Sequence, residues 1–164
     1  EQEGTYPLPE AQLDRFMFNL LIDYPNQADE VDIVKNNANI NEKTVKISIN
    51  RDNLLKYQNI IKEVPVADNV IEYAVNFVSE TRPAHTSKKL IKDMIDWGAG
   101  PRASSYLILG AKAKAILDNR TTPDIADVQD MIKPVLRHRI IPNFNAETEG
   151  ISKDSILDQL VTLL

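Results

Sequence analysis

Arginine is the residue type best placed for chemistry in this sequence, and Arg102 stands where a helix is predicted to begin. Gly98 and Gly100 permit a turn before it. Pro101 suits the first helical position because its φ is already set and it has no N–H to leave unpaired. The free N–H groups of a helix start and one guanidinium can together bind a phosphate. The same residues also fit a solvated arginine at an exposed helix start, so their spacing leaves both interpretations open.

Two further basic positions are candidates. Arg15 lies where a short predicted helix meets an apolar run. The helix dipole favours a cation there in any case, so a structural and a functional role both stay open for it. Arg137, His138 and Arg139 form a compact basic cluster. Solvation or salt bridging is the simpler interpretation of that cluster.

Composition excludes several other kinds of site. The 164 residues include no cysteine, which rules out disulfides and thiolate metal sites. His85 and His138 have no ligand partners at metal-site spacing, so we predict no metal site. The net charge of −5 argues against non-specific nucleic-acid binding as the main role, and no apolar run has membrane-spanning length. A phosphate-binding Gly-x-x-x-x-Gly-Lys-Ser/Thr loop and a serine-nucleophile motif are also absent from the sequence.

The first 25 residues differ in character from the rest. Residues 7–15 predict a short helix, and the apolar run 16–24 predicts a strand that is buried on both faces, as in a parallel sheet. One strand cannot form a sheet alone, so we expect its partners to lie upstream. The chain begins at Glu1 without an initiator Met, and we expect it to be a piece of a longer protein with a boundary at residue 25.

From residue 26 onward the pattern is mainly helical. We expect Leu54 and Leu55 to face a core and Pro134 to kink its helix. Two segments are less regular: Val45–Ile49 predicts a short strand or extended linker, and 88–97 predicts a short helix or extended segment. Residues 122–136 predict a helix that Thr122 caps. The other predicted helices cover residues 27–38, 51–63, 67–81 and 101–117, with a last helix that Ser152 caps.

Several motifs resemble a known family. Residues Glu1–Phe16, EQEGTYPLPEAQLDRF, closely resemble the end of the ATPase core in the MoxR family of AAA+ proteins. Gly98–Ala103 resembles that family's Gly-Ala-Ser-Pro-Arg-Ala motif, with Gly100 where serine is usual. The resemblance covers nearly the whole chain and is weakest over 26–60. Further similar segments are Thr122–Asp124, Val135–Ile140 and Glu149–Ile151.

The resemblance implies a fold and a division of the chain. It implies a mainly α structure, with an AAA+ helical lid bundle over 26–164 and a helix–strand remnant of the α/β ATPase core over 1–25. The phosphate loop, the Mg²⁺-binding carboxylates and sensor 1 would lie upstream. The full-length protein would then use ATP and Mg²⁺, whereas this chain alone would need no cofactor and would not hydrolyse ATP.

The resemblance also assigns roles to two arginines. Arg15 matches the arginine finger, which points at the γ-phosphate held by a neighbouring subunit. Arg102 matches the sensor-2 arginine, which contacts nucleotide phosphates from the lid. We expect Arg102 to serve its own subunit's nucleotide, although some AAA+ relatives use this residue across the boundary. Guanidinium suits both roles because its planar fork spans phosphate oxygens.

The function implied is ATP hydrolysis in a homo-oligomeric ring, with six subunits expected, for chaperone-like protein maturation or cofactor insertion. The client protein is not identified, a cytoplasmic location is expected, and neither nucleic acid nor membrane is an expected partner. The alternative is a non-enzymatic helical module that docks a protein through an apolar groove. A DNA-linked AAA+ relative is a third possibility, which the acidic balance disfavours.

Overall fold

The computed structural model describes residues 8–38 and 48–164, and in these ranges the chain is mainly helical. The predicted mainly α class is thereby confirmed. In chain order the elements are α1 (Glu10–Leu13), α2 (Gln27–Ala38), α3 (Arg51–Glu63), α4 (Asp68–Glu80), α5 (Lys89–Met94), β1 (Ile95–Trp97), α6 (Pro101–Leu117), α7 (Ile125–Leu136), β2 (Ile141–Pro142), α8 (Phe144–Thr148) and α9 (Lys153–Thr162).

Helix α6 is central to the core, and small residues let its neighbours approach. Gly110 is buried against α7, where an added Cβ would lie 2.8 Å from the Met131 side chain. Helices α4 and α7 pack against α6, and α9 packs against α7. Close packing of this kind makes the position of each α6 residue depend on the whole bundle. The largest buried side chains include Phe77, Leu107, Ile132, Leu136 and Leu157.

A two-stranded sheet joins the end of α5 to the chain after α7. Strands β1 and β2 are antiparallel, with Ile95 opposite Pro142 and Trp97 opposite Ile141. Asn143 reinforces the join, because its backbone N–H donates to the Met94 carbonyl at 3.0 Å. The sequence predicted either a short helix or an extended segment over 88–97. The structure has both, the short helix α5 followed by the strand β1.

The segment 16–24, predicted as a strand whose partners lie upstream, is not in a strand in the described part of the chain, and its Ile22 is 94% exposed. Alternation of apolar residues cannot make a strand without a neighbouring strand to receive its backbone hydrogen bonds. The first part of the segment docks instead on the end of α7, where the Asn19 N–H donates to the Pro134 carbonyl at 2.8 Å.

Two smaller expectations also need correction. Leu54 and Leu55 are about half exposed, because α3 lies at the edge of the bundle and buries none of its own residues. Helix α7 is capped by Asp124 rather than Thr122, since Asp124 and Asp127 form a reciprocal capping box. The cap at Ser152 is confirmed. Most of the predicted extended segment Val45–Ile49 lies outside the described residues.

Candidate functional site

The turn before α6 is held by two residues at the end of α4. The Thr81 hydroxyl accepts a hydrogen bond from the Ala99 N–H at 3.0 Å, and Arg82 Nε donates to the Ala99 carbonyl at 2.8 Å. Gly98 lies against this junction so closely that a Cβ would be 2.4 Å from the Thr81 carbonyl oxygen. The start of α6 is therefore fixed relative to α4, and so is the backbone that carries Arg102.

Arg102 occupies the first turn of α6, as predicted, with its side chain 47% exposed. Its Nη1 lies 2.6 Å from Oδ2 of Asp14, which is the residue that follows α1. Gly100 is the N-cap and has no side chain to accept a first-turn N–H. Pro101 has no N–H and the Ala103 N–H donates to the Gly100 carbonyl at 3.0 Å, so the start of α6 offers an anion chiefly the Arg102 N–H and the half-exposed Arg102 guanidinium.

Asp14 has a second arginine partner, Arg139, which follows α7. Nε of Arg139 lies 3.0 Å from Oδ1 of Asp14, and its Nη2 donates to the Asp14 carbonyl at 2.8 Å. Arg139 also donates to the backbone carbonyls of Phe16, Met17 and Val135, and its side chain is only 1% exposed. Burial lowers the pKa of Arg139 and the Asp14 carboxylate opposes that effect, so the guanidinium stays charged.

Arg15 is held through its backbone while its side chain remains exposed. The Tyr106 hydroxyl donates to the Arg15 carbonyl at 3.0 Å, and the Arg139 guanidinium lies 5.0 Å from the centre of the Tyr106 ring. In the described part of the chain the Arg15 side chain has no hydrogen bond or ion pair. Arg102 and Tyr106 are one turn apart on α6, so one helix face holds both Asp14 and Arg15.

The structure therefore brings the two predicted arginines together, although Arg102 and Asp14 are 88 positions apart in the sequence. Sequence reasoning missed Asp14 and Arg139, which connect them. The only available signal was that Asp14 directly precedes Arg15 and that Arg139 belongs to the basic cluster.

In the rest of the basic cluster, Arg137 forms a salt bridge, as the simpler interpretation predicted, and His138 is hydrogen-bonded to the backbone. Arg137 binds both carboxylate oxygens of Asp154, at 3.1 and 2.8 Å. Its Nη1 also donates to the Asn19 carbonyl at 3.2 Å, and His138 Nε2 lies 3.0 Å from the Phe16 carbonyl. Burial lowers the pKa of His138, and the bond to Phe16 opposes the shift. All three residues of the cluster thus attach the segment 14–19 to the end of α7.

A separate apolar groove lies between α3 and α6. Its volume is about 640 Å³, and its lining includes Phe18, Ile61, Leu109, Leu117 and Met131. Leu117 is mostly exposed.

Among residues 8–38 and 48–164, none of the helices has the length and apolar character that a membrane crossing requires.

Comparisons with known proteins agree with this architecture. Residues 87–160 match the AAA lid domain family. The chain is 32% identical over 162 residues to the chaperone MoxR1 of Mycobacterium tuberculosis, a match that covers 98% of this chain and 43% of MoxR1. It is 34% identical over 167 residues to the uncharacterized protein YeaC of Bacillus subtilis, covering 99% of this chain and 48% of YeaC.

A solved structure shares the fold. The crystal structure of a candidate ATPase from Cytophaga hutchinsonii matches with a TM-score of 0.91 and 34% identity, over 100% of this chain and 50% of that one. The chain thus spans about half the length of the relatives it matches. The predicted AAA+ lid bundle is confirmed by this likeness and by the lid-domain match. Residues 87–160 are an AAA lid domain, and the chain belongs to the MoxR-like AAA+ ATPase family.

Proposed function

We propose that this chain acts in an ATPase that binds and hydrolyses ATP in a homo-oligomeric ring, with Arg15 as the arginine finger and Arg102 as a second phosphate contact. The observation that carries the proposal is the juxtaposition of the two residues. Arg102 is half exposed at the start of α6 and pairs with Asp14. The next residue, Arg15, is exposed, and its side chain has no hydrogen bond or ion pair among residues 8–38 and 48–164. Residues 1–25 would belong to the nucleotide-binding core and 26–164 to the lid.

The chemistry suits these residues. Phosphoryl transfer is accelerated mainly by positively charged donors placed around the transferring group, and an arginine finger is among the strongest of them. Mg²⁺ would need other residues, because no group of three His, Asp or Glu side chains in the described ranges could hold a metal ion. The described residues therefore fit the phosphates of ATP but not its metal.

The position of both arginines at the start of α6 favours one nucleotide for the two of them. Arg102 bonds to Asp14, and the carbonyl of the next residue, Arg15, accepts from Tyr106 one turn after Arg102. If Arg15 reaches across a subunit boundary, Arg102 reaches across it too. We expected Arg102 to serve its own subunit. The proposal instead has Arg102 act across the subunit boundary, as some AAA+ relatives do.

Mixed rings test the assignment. In the assembled ATPase, Arg15→Ala should leave ATP binding nearly intact and reduce turnover by about 10³-fold or more, and Arg15→Lys should recover little of it. Mixing Arg15→Ala subunits with Arg102→Ala subunits should restore no activity when both arginines serve one neighbour, because every interface then lacks one of them. The positive control mixes Arg15→Ala with a subunit that lacks its phosphate-loop lysine, and this mixture should recover activity.

Each result has a distinct meaning. Recovery in the mixture of the two arginine variants would show that the residues serve different nucleotides. A positive control that stays inactive while both proteins assemble would show that Arg15 is not a finger, and the structural interpretation of that helix end would replace it. ATPase turnover unaffected by Arg15→Ala would refute the proposal directly.

The ring would serve protein maturation or cofactor insertion, a proposal that rests on the relative described as a chaperone. A second candidate, the non-enzymatic interaction module, is favoured by the apolar groove between α3 and α6. ATPase turnover of the assembled protein separates the two, because a protein that only docks a partner would have none. Leu117→Asp, at a mostly exposed residue of the groove, should leave that turnover unchanged under the first candidate.

A further inference from the structure

One carboxylate, that of Asp14, serves two arginines in very different environments. Arg139 donates to Asp14 Oδ1 and to four backbone carbonyls, and its side chain is almost completely buried. Arg102 makes a single contact with Asp14 Oδ2, through Nη1, and about half of its side chain is exposed. The carboxylate is therefore anchored on one side and open on the other.

This asymmetry determines which contact can be exchanged. An ion pair that is half exposed to water contributes little free energy, because solvent already stabilises both charges. A phosphate carries more charge than a carboxylate and offers more acceptor oxygens to a guanidinium. Arg102 can thus leave Asp14 for a phosphate at small cost, whereas Arg139 cannot leave without exposing several unpaired carbonyls.

We propose that Asp14 is a positioning residue for Arg102: its carboxylate holds the guanidinium beside Arg15 until a nucleotide phosphate takes over the same hydrogen-bond donors. This inference rests on the proposed function, because it requires Arg102 to contact a phosphate. The Asp14 carboxylate then competes with ATP. Arg139 keeps the backbone of residues 14–17 in place during the exchange, so Arg102 moves while the segment that carries Arg15 does not.

The test measures the affinity of the assembled ATPase for a fluorescent ATP analogue. Asp14→Asn keeps an oxygen that can accept from Arg139 Nε but removes the charge that competes for Arg102. We expect it to tighten binding by about two- to fivefold, which is the range that an exposed ion pair accounts for. Asp14→Glu keeps the charge and should retain the unmodified affinity.

Asp154→Asn is the matched control. Asp154 also pairs with an arginine and its side chain is 30% exposed, against 32% for Asp14. This variant should leave the affinity unchanged. In an Arg102→Ala background, Asp14→Asn should lose its effect, because no guanidinium remains to be released. A merely structural Asp14 would change binding equally in both backgrounds, and that result would overturn the positioning role.

The failure of this inference is distinguishable from failure of the proposed function. Arg102→Ala alone should weaken binding of the analogue. If Arg102→Ala has no effect on binding, Arg102 does not contact phosphate and the proposed role of Arg102 fails together with the inference. If Arg102→Ala weakens binding but Asp14→Asn does not tighten it, only the positioning role of Asp14 is refuted.

Discussion

The two ends of α6 each hold arginine–aspartate contacts, but they are built differently. At the C-terminal end Arg120 pairs with Asp127, seven positions away, with Nη1 2.7 Å from Oδ2. At the N-terminal end Arg102 pairs with Asp14, 88 positions away, and Arg139 reaches the same carboxylate across 125 positions. The first set of contacts is local and the second joins distant parts of the chain.

The two ends also differ in how completely their charges are paired. The Asp127 side chain is 2% exposed and binds Arg120 together with the Asp124 N–H, while Lys114 lies nearby. At the other end, Arg102 is half exposed, and the side chain of Arg15 has no hydrogen bond or ion pair in the described part of the chain. The closed network stabilises the turn between α6 and α7. The open one leaves donors that a ligand can use, so the difference separates a structural cluster from a candidate site.

Loss of Asp127 should produce the largest change in stability. Asp127→Ala removes the main partner of Arg120 and leaves the N–H of Asp124 without its acceptor. We expect the free energy of unfolding to fall by about 3 kcal/mol, measured by urea denaturation of the chain. Asp130→Ala, at an exposed carboxylate of the same helix that pairs with Lys114, should cost less than about 1 kcal/mol. Equal losses in the two variants would contradict the contrast between the networks.

Acid titration should separate the same network from the rest of the chain. Hydrogen bonds from Arg120 lower the pKa of Asp127 from 3.8 to about 2. Because the folded-state pKa is depressed, this carboxylate stabilises the fold fully above pH 3.8, and its contribution is lost as pH falls through about 2. The contribution is roughly 2 kcal/mol. Unfolding measured between pH 5 and 2 should therefore depend less steeply on pH in Asp127→Asn, and curves of equal slope would show that another group dominates.

At the open end, the two partners of Asp14 should differ in their contribution to stability. Arg139→Ala leaves Asp14 Oδ1 and several backbone carbonyls without a donor, and should lower the free energy of unfolding by about 2–3 kcal/mol. Arg102→Ala should lower it by less than about 1 kcal/mol, because that pair is half exposed. Thermal unfolding followed by circular dichroism can compare them. A large loss for Arg102→Ala would mean that the contact is structural and that Arg102 is not available to a phosphate.

The two ends of α6 also differ in how much of their structure the sequence predicts. Helix α7, which follows the turn after α6, was predicted because its start signals are adjacent in the sequence: Thr122, Pro123 and Asp124. The cap was misplaced by two residues because the reciprocal bonds of Asp124 and Asp127 outcompete Thr122, whose hydroxyl instead lies 3.2 Å from the Pro65 carbonyl. These errors are small since the competing groups are close together.

The N-terminal end of α6 was less predictable because its contacts are distant in sequence. Arg15 and Arg102 were candidates because they stand at predicted helix ends, and the family resemblance gave them roles, but no local pattern links Asp14 to Arg139. The segment 16–24 also depends on distant residues. An alternating apolar run indicates only an extended backbone, and in the described part of the chain the side chains of residues 137–139 donate to its carbonyls in place of a neighbouring strand.

The smallest expected effect concerns the turn that precedes Arg102. Gly100 has φ −80° and ψ 173°, a conformation open to any residue, and nothing lies within 4 Å of where its Cβ would be. Gly100→Ser should therefore raise the free energy of unfolding by about 0.5–1 kcal/mol. The serine hydroxyl can accept a first-turn N–H, and the unfolded chain loses the freedom of a glycine. Urea denaturation of the two chains measures the difference.

Gly98→Ser, the same substitution two residues earlier, is the matched control. Its Cβ would lie 2.4 Å from the Thr81 carbonyl oxygen, so the turn that fixes α6 must move, and we expect a loss of about 2 kcal/mol or more. Opposite signs in the two variants would show that the turn is rigid at Gly98 and merely uncapped at Gly100. If Gly100→Ser also destabilises the chain, the start of α6 is strained, and the cap is not what the open end of this helix lacks.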